Sequence, residues 1–202
     1  MMVLMDNLVI IEEVAIALKD MYDAFSIEFY TDLGQENLKN LKHVEIGENE
    51  NWCQVEPLVR QYVHFLRKLD ILQLNQLEYD LNFQYRIKAV TGVSTKIAYN
   101  YGKHRYVSKI INDLFGARIV LSGIEAQQER LDRLLQRLKD GQVISRYYTR
   151  HDGKYHATHC YFQSDNRYFP WELQIWDKNR ELKNYSEHVR HEKERHMQEG
   201  ID

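Results

Sequence analysis

The chain has 202 residues, of which 44% are hydrophobic and 28% charged, and its formal net charge is −3. This length fits one domain, with room for a helical appendage, and the balance is that of a globular protein rather than a disordered one. The negative charge argues against a protein coated in positive charge for duplex DNA, while a local basic pocket for phosphates stays open.

The sequence also indicates the cellular compartment of the protein. Cys53 and Cys160 are too few for a secreted disulfide framework and show no metal-ligand pairing. The apolar N-terminal stretch lacks a basic beginning and is interrupted by Asp6, Glu12 and Glu13, unlike a signal peptide. No window of the sequence carries the roughly 20 apolar residues that span a bilayer. We therefore expect a cytoplasmic protein with no membrane partner.

Apolar residues recur at helical spacing in the first third of the chain. They predict a helix from about residue 6 to 30 and a second from Pro57, well placed in a first turn, to about Asp80. The pattern then alternates between strands and helices. The predicted elements there are a strand at 83–88, a helix at 92–111 broken near Gly102, a strand at 117–121, a helix from Ile124 that Gly141 ends, strands at 143–150, 155–162 and 168–176, and a helix at 178–197.

This order predicts an α+β fold in which a mostly antiparallel sheet is flanked by helices, with helical extensions at both ends. We divide the chain into an N-terminal helical region at 1–80 and a core at 81–202 that includes the last helix.

The last predicted strand carries a carboxylate and an amide on one face. Strand alternation separates Glu172 and Gln174 from Trp171, Leu173 and Ile175. A carboxylate beside an amide suits magnesium and a hydroxyl or ribose, but taken alone this strand favours a plain exposed polar face.

Two further groups are open to a functional and a structural interpretation. Alternation places Tyr155, Ala157, His159 and Tyr161 on one strand face, where a tyrosine and a histidine could stack a base and hold a phosphate or sugar. Asp113 precedes an apolar strand beside a glycine, which is a common place for a metal-bound phosphate and also a common turn.

Basic residues form the last candidate group. They could clamp a triphosphate, because fixed cations stabilise charge on phosphoryl oxygens, although a solvated helix face would look similar. These residues are Arg86, Lys88, Lys96, Lys103, His104 and Arg105. No GxxxxGK[ST] loop occurs, which argues against a P-loop mechanism.

Taken in order, these short motifs resemble those of RelA/SpoT-type synthetase domains, over roughly residues 80 to 195. The family motifs are R-x-K with a later lysine, D-x-x-G-x-R, G-Y-x-S-x-H, E-x-Q-x-R and a helix with E-H. The matching positions here are Arg86-Ile87-Lys88, Lys96, Asp113 to Arg118, Tyr155 to His159, Glu172-Leu173-Gln174, and Glu187-His188. The resemblance implies a nucleotidyltransferase-like sheet and transfer of the β,γ-pyrophosphate of ATP to a ribose 3′-hydroxyl. The usual acceptor is GDP or GTP, and the product is the alarmone (p)ppGpp.

The resemblance also implies roles on the ATP side. Arg86, Lys88 and Lys96 would bind the ATP phosphates. Asp113 would hold Mg²⁺, and Glu172 would share the metal or activate the 3′-hydroxyl as a base.

On the acceptor side, the resemblance implies that Tyr155 stacks on the acceptor base. His159 and Gln174 would position the acceptor and its phosphates. The chain is similar in layout to the small stand-alone alarmone synthetases, with too few residues before the match for the hydrolase domain of long members, and this implies a homo-oligomer.

Departures from the family pattern leave the acceptor open. Trp176 stands in place of the arginine of E-x-Q-x-R, Lys154 in place of the glycine before the tyrosine, and Ala89 in place of a serine. One alternative is a family member that modifies the 3′ end of tRNA, held by a patch of basic residues, or that makes adenosine alarmones. That patch would consist of Arg146, Arg150, Lys154 and Arg190. A further alternative is an inactive module that only binds nucleotides.

Overall fold

The computed structural model describes residues 6–31, 38–47, 50–69 and 82–198, except the side chains of His188 and of residues 191–198. The elements in these ranges are α1 (Asn7–Thr31), α2 (Trp52–Leu66), β1 (Phe83–Ile87), α3 (Val90–Asn100), α4 (Val107–Ile110), β2 (Phe115–Leu121), α5 (Gln128–Asp140), β3 (Arg146–Asp152), β4 (Tyr155–Phe162), β5 (Trp171–Asp177) and α6 (Glu181–Gln198). Short 3₁₀ turns at Glu125–Gln127 and Lys178–Arg180 precede α5 and α6. The α+β class predicted from the sequence is confirmed.

The five strands form one mixed sheet in the order β1-β2-β5-β4-β3. Only β2 and β5 run parallel, and the other three neighbouring pairs are antiparallel. The parallel pair requires a crossover, which is supplied by α5 and the β3–β4 hairpin. All seven residues of β5 are buried, as expected for a strand with neighbours on both sides and helices on its faces.

One face of the sheet packs against α1, α2 and α5 and forms the main core. Trp171 lies at its centre, and its ring contacts those of Tyr22 and Phe25 with centroids 5.5 Å apart in both cases. The indole nitrogen of Trp171 donates to the hydroxyl of Tyr62 at 3.0 Å. The two N-terminal helices therefore share one core with the sheet.

The other face of the sheet carries polar residues and is covered in part by α6. Asn184 of α6 is fully buried, and its amide pairs with the backbone N–H and carbonyl of His156 at the start of β4. Tyr185 packs its ring edge against Trp176, with centroids 5.2 Å apart. These contacts cover one end of the polar face.

The second helix differs from its prediction. It begins at Trp52 rather than at Pro57, because Trp52 and Val55 are buried and anchor an earlier turn. It ends at Leu66, and residues 70–80 of the predicted helix lie outside the described residues, as does the predicted boundary at residues 80–81. Pro57 thus lies inside the helix, where its ring removes one backbone hydrogen bond.

Two strands begin three residues later than predicted. Val143 and Ile144 donate their N–H groups to the carbonyl of Leu138, so they complete the end of α5 instead of joining β3. Tyr168 donates to the carbonyl of Asp165 in a turn before β5.

The helix break predicted near Gly102 is confirmed, because Gly102 adopts φ +71° between α3 and α4. In the described residues no helix is long and apolar enough to cross a membrane.

Candidate active site

Two rows of side chains run across all five strands on the polar face. Register places Arg86, Gly116, Glu172, Tyr161 and Arg146 side by side in the first row. The second row consists of Gln84, Arg118, Gln174, His159 and Tyr148. Because side chains alternate along each strand, both rows point to the same side of the sheet.

A carboxylate held by three cations lies at the β1–β2 end of these rows. Asp113 accepts from the ammonium of Lys88 at 2.7 Å and from that of Lys96 at 2.8 Å, one on each oxygen. The guanidinium of Arg86 lies 3.6 Å from the oxygen that Lys88 contacts. Arg86 reaches this position by crossing Gly116, which places no side chain in its path. Three positive charges thus surround one negative charge.

Burial and charge oppose each other in this cluster. Burial alone would raise the pKa of Asp113, but the positive charges of Lys96 and Lys88 hold it well below its usual range. Burial lowers the pKa of Lys88 to about 8, against the opposing effect of Asp113. The cluster therefore carries a net positive charge, which suits a polyphosphate.

Glu172, in the middle of the first row, is the second carboxylate of the site. Tyr161 donates to Oε1 at 2.7 Å, and Gln174 donates to Oε2 at 2.8 Å. His159 Nδ1 lies 2.9 Å from Oε1, and His159 Nε2 lies 3.1 Å from the hydroxyl of Tyr155. Burial would raise the pKa of Glu172, but the hydrogen bond and charge of His159 lower it below its usual value.

These contacts define a hydrogen-bonded chain. An ionised Glu172 can only accept, so Nδ1 of His159 carries the proton that faces it. Nε2 of His159 in turn lies within hydrogen-bond distance of the hydroxyl of Tyr155, which completes the chain. Glu172 is thereby fixed in position and kept ionised, as a group that orients or deprotonates a hydroxyl must be.

Arg118, Trp176 and Tyr185 pack their planar groups against one another on the polar face. The guanidinium of Arg118 lies 3.6 Å from the ring centroid of Trp176 and 5.1 Å from that of Tyr185. Arg118 also donates to Gln174 Oε1 at 3.4 Å, and Trp176 donates to the same oxygen at 3.2 Å. Trp176, at the position where the motif has arginine, therefore supports Arg118 and orients Gln174.

No protein-family model and no curated protein matches this sequence. Solved structures that are similar to it include the following two. One is a GTP pyrophosphokinase family protein from Streptococcus pneumoniae, at 17% identity and a TM-score of 0.40, over 72% of this chain and 78% of that one. The other is the small alarmone synthetase 2 from Bacillus subtilis, at 18% identity and a TM-score of 0.35, over 71% of this chain and 82% of that one. Identities and TM-scores this low support no conclusion about activity.

The structure places the eight residues to which the sequence resemblance assigns roles in two groups. Arg86, Lys88, Lys96 and Asp113 form the cation cluster. Tyr155, His159, Glu172 and Gln174 form the connected group around the second carboxylate. Their roles stay predictions.

The remaining basic candidates lie elsewhere. Lys103 lies over the ring of Tyr99 at 3.3 Å, and His104 lies 3.4 Å from Glu45, both in the exposed loop after α3. Of the basic patch considered for RNA, Arg146 and Arg150 lie on the polar face of β3, whereas Arg190 of α6 pairs with Glu187.

Sequence reasoning missed Tyr148 and gave Tyr161 no role. Tyr148 belongs to the second row, and its hydroxyl lies 3.2 Å from that of Tyr161, which in turn donates to Glu172. The alternation of Arg146, Tyr148 and Arg150 along one strand is the signal that could have found them, once β3 is known to lie beside β4.

Asp113 and Glu172 supply carboxylate oxygens of the kind that would bind a magnesium ion arriving with its nucleotide. In the described part of the chain no group of three or more His, Cys, Asp or Glu side chains is placed to hold a metal. Mg²⁺ is usually bound by one or two carboxylates plus substrate phosphates, which is the donor set available here. Each oxygen of Asp113 accepts one lysine and keeps further acceptor capacity.

Proposed function

We propose that this chain is a RelA/SpoT-type pyrophosphotransferase, which moves the β,γ-pyrophosphoryl group of ATP to the 3′-hydroxyl of GDP or GTP. The observation that carries this proposal is a pair of ionised carboxylates, one just before β2 inside a cluster of cations and the other on the polar face of β5 inside a hydrogen-bond network. Phosphoryl transfer needs positioning and electrostatic stabilisation more than covalent chemistry, and this arrangement supplies both.

The cation cluster is the proposed ATP site. Each lysine ammonium has three N–H donors and uses one on Asp113, so Lys88 and Lys96 keep donors for phosphate oxygens. Arg86 is half exposed and extends the cluster toward solvent, where the triphosphate would enter. Charge that develops on the phosphoryl oxygens would meet cations that are already in place, which lowers the reorganisation cost.

Asp113, with or without Glu172, would hold the Mg²⁺ that accompanies ATP. When bound, the ion would neutralise charge on the transferring phosphates and help to align them. The depressed pKa values of both carboxylates keep them ionised and available for this role.

Glu172 is the proposed partner of the acceptor hydroxyl. The 3′-oxygen attacks the β-phosphorus, the bond from that phosphorus to the oxygen bridging the α- and β-phosphates breaks, and AMP leaves. Glu172 would orient the hydroxyl and take its proton as that bond forms. His159 and Gln174 would keep the carboxylate in place, and the hydroxyl of Tyr155 would orient the His159 ring through its contact with Nε2.

Transfer from labelled ATP tests this proposal. The purified protein is incubated with β- or γ-labelled ATP, Mg²⁺ and, in parallel, GDP, GTP, no added acceptor, or tRNA. We expect label on the guanine nucleotide, and we expect Asp113→Asn and Glu172→Gln each to reduce the rate by about 100-fold or more, because each removes several kcal/mol of transition-state stabilisation.

Matched control variants separate chemistry from folding. Asp23→Asn and Glu56→Gln remove the same functional groups from ion pairs with Lys19 and Arg60 on α1 and α2, and they should leave the rate unchanged. Label on tRNA or on an adenine nucleotide would support pyrophosphoryl transfer and identify a different acceptor. Absence of transfer by the folded protein in every reaction, with retained nucleotide binding, would reduce the chain to a binding module.

A further inference from the structure

The tyrosine that the sequence resemblance assigns to base stacking is covered in this structure. Tyr155 is only 5% exposed, and its ring meets the ring of Trp176 edge-on at a centroid distance of 6.2 Å. The guanidinium of Arg150 lies over the same ring at 5.6 Å. Its hydroxyl is engaged with His159. A base could stack on Tyr155 only after these contacts separate.

A different ring of the same face is open. Tyr148 of the edge strand β3 is 44% exposed. It lies directly across from His159, with the two rings 5.1 Å apart and 10° from parallel. The ring of Tyr161 lies 6.0 Å away at 20°, so three nearly parallel rings line this part of the sheet. Tyr148 is the most exposed of the three, since His159 and Tyr161 are buried.

The orientation of Tyr148 is tied to the proposed acceptor carboxylate. Its hydroxyl lies 3.2 Å from the hydroxyl of Tyr161, which donates to Glu172 Oε1 at 2.7 Å. Ring and carboxylate are therefore held in a fixed relation through a single intervening side chain. A base resting on this ring would have its ribose on the side of the sheet where Glu172 lies.

Cations flank the open ring on the same strand face. Arg146 and Arg150 are two residues before and after Tyr148, which places each about 7 Å along the strand from it. Both are exposed, Arg146 resting on the ring of Tyr161 at 4.2 Å and Arg150 paired with Asp152. Base stacking on an aromatic ring beside guanidinium groups is a common way to hold a nucleotide.

We propose that Tyr148 is the stacking platform for the acceptor base and that Arg146 and Arg150 contact the acceptor's 5′-phosphates. The acceptor class is therefore a nucleoside 5′-diphosphate or triphosphate. This inference rests on the proposed function for the identity of the acceptor, but nucleotide binding at Tyr148 is measurable without any transfer.

Equilibrium dialysis of labelled GDP, without ATP, tests the platform directly. We expect Tyr148→Leu to weaken GDP binding about tenfold, because it removes one base–aromatic stack, and Tyr148→Phe to weaken it less than about twofold, because the ring is kept. Tyr101→Leu, at a 62% exposed tyrosine after α3, is the matched control and should leave binding unchanged. The double variant Arg146→Gln/Arg150→Gln should weaken binding of GDP but not of guanosine, which has no phosphates.

Transfer kinetics distinguish this proposal from the proposed function. In Tyr148→Leu the KM for GDP should rise about tenfold while the KM for ATP stays within about twofold. If Tyr155→Leu loses GDP binding and Tyr148→Leu retains it, the stacking role of Tyr148 is overturned and the proposed transfer reaction stands. If the native protein transfers no label and GDP binding is lost in Tyr148→Leu but not in Tyr155→Leu, the proposed reaction is overturned. The stacking role of Tyr148 then stands.

Two more outcomes would overturn the platform itself. One is a native protein that binds no GDP. The other is a short single-stranded RNA that binds more tightly than GDP and loses its affinity in Tyr148→Leu, which would replace the nucleoside polyphosphate by an RNA end.

Discussion

At the scale of single residues, Lys88 is subject to two opposing influences. Its ammonium is mostly buried, and burial lowers its pKa to about 8, while the adjacent Asp113 partly offsets this effect. A lysine in this condition loses its charge only slightly above neutral pH. If it binds ATP phosphates, the affinity for ATP must follow its titration.

We expect ATP binding by the native protein to weaken about tenfold between about pH 7 and pH 9, since phosphate binds the protonated lysine and the neutral form dominates above its pKa. Equilibrium dialysis with ATP and Mg²⁺, without acceptor, measures this dependence. In Lys88→Arg the guanidinium stays protonated throughout, so its affinity should be nearly constant over the same range. The same fall with pH in Lys88→Arg would assign the titration to another group.

At the scale of secondary-structure elements, one buried amide helps to attach α6 to the sheet. Asn184 accepts from the backbone N–H of His156 at 2.9 Å and donates to its carbonyl at 2.8 Å. The side chain thus takes the place of a neighbouring strand at the start of β4, just before pairing of β4 with β5 begins at Thr158. We expect this pairing to contribute to the position of α6 over Trp176, together with the ring contact of Tyr185.

Asn184→Ala should lower the free energy of unfolding by about 1–3 kcal/mol, because it leaves a backbone donor and an acceptor without their partner in a buried place. Chemical denaturation measures the difference. Asn179→Ala, at an exposed asparagine in the turn before α6, should change stability by less than about 0.5 kcal/mol. Equal stability of the two variants would mean that α6 is held by its other contacts.

At the scale of the whole molecule, an aromatic cluster joins the N-terminal helices to the sheet. Phe25 of α1 contacts Tyr62 at 5.0 Å, Phe65 at 5.4 Å and Trp171 at 5.5 Å between ring centroids. These rings come from α1, α2 and β5, so one buried cluster links the two regions into which the sequence is divided. Such a shared core favours a single cooperative unfolding transition.

We therefore expect Phe25→Ala to destabilise the whole molecule by about 3–5 kcal/mol, since it opens a cavity between three packed rings. Ile27→Ala, on the same helix but 69% exposed, should cost less than about 0.5 kcal/mol. Tryptophan fluorescence reports on β5 through Trp171 and Trp176 and on the start of α2 through Trp52. Far-ultraviolet circular dichroism reports on all helices, and the two signals should give one common transition. Separate transitions would mean that α1 and α2 unfold independently of the sheet.

Much of the fold could be predicted because its signals are local. Period-two alternation separates Glu172 and Gln174 from Trp171, and the structure places them on opposite faces as predicted. The exposed polar face that this strand alone favours is wrong, because Glu172 and Gln174 are both buried. Helical periodicity likewise predicts α1 and α5 to within a few residues. The errors occur at boundaries, where Trp52 and Ile144 are decided by burial and by hydrogen bonds to neighbouring elements.

The sequence by itself determined the class of the fold, the polar faces of β4 and β5 and, through a family resemblance, the residues to examine. Only the tertiary structure decided that β5 lies between β2 and β4, which aligns Glu172 with Gly116 on one side and Tyr161 on the other. It alone revealed that Tyr155 is covered and Tyr148 open. The physical reason is that alternation and helical period are fixed by the backbone of neighbouring residues, whereas strand order and ring exposure depend on contacts between distant parts of the chain.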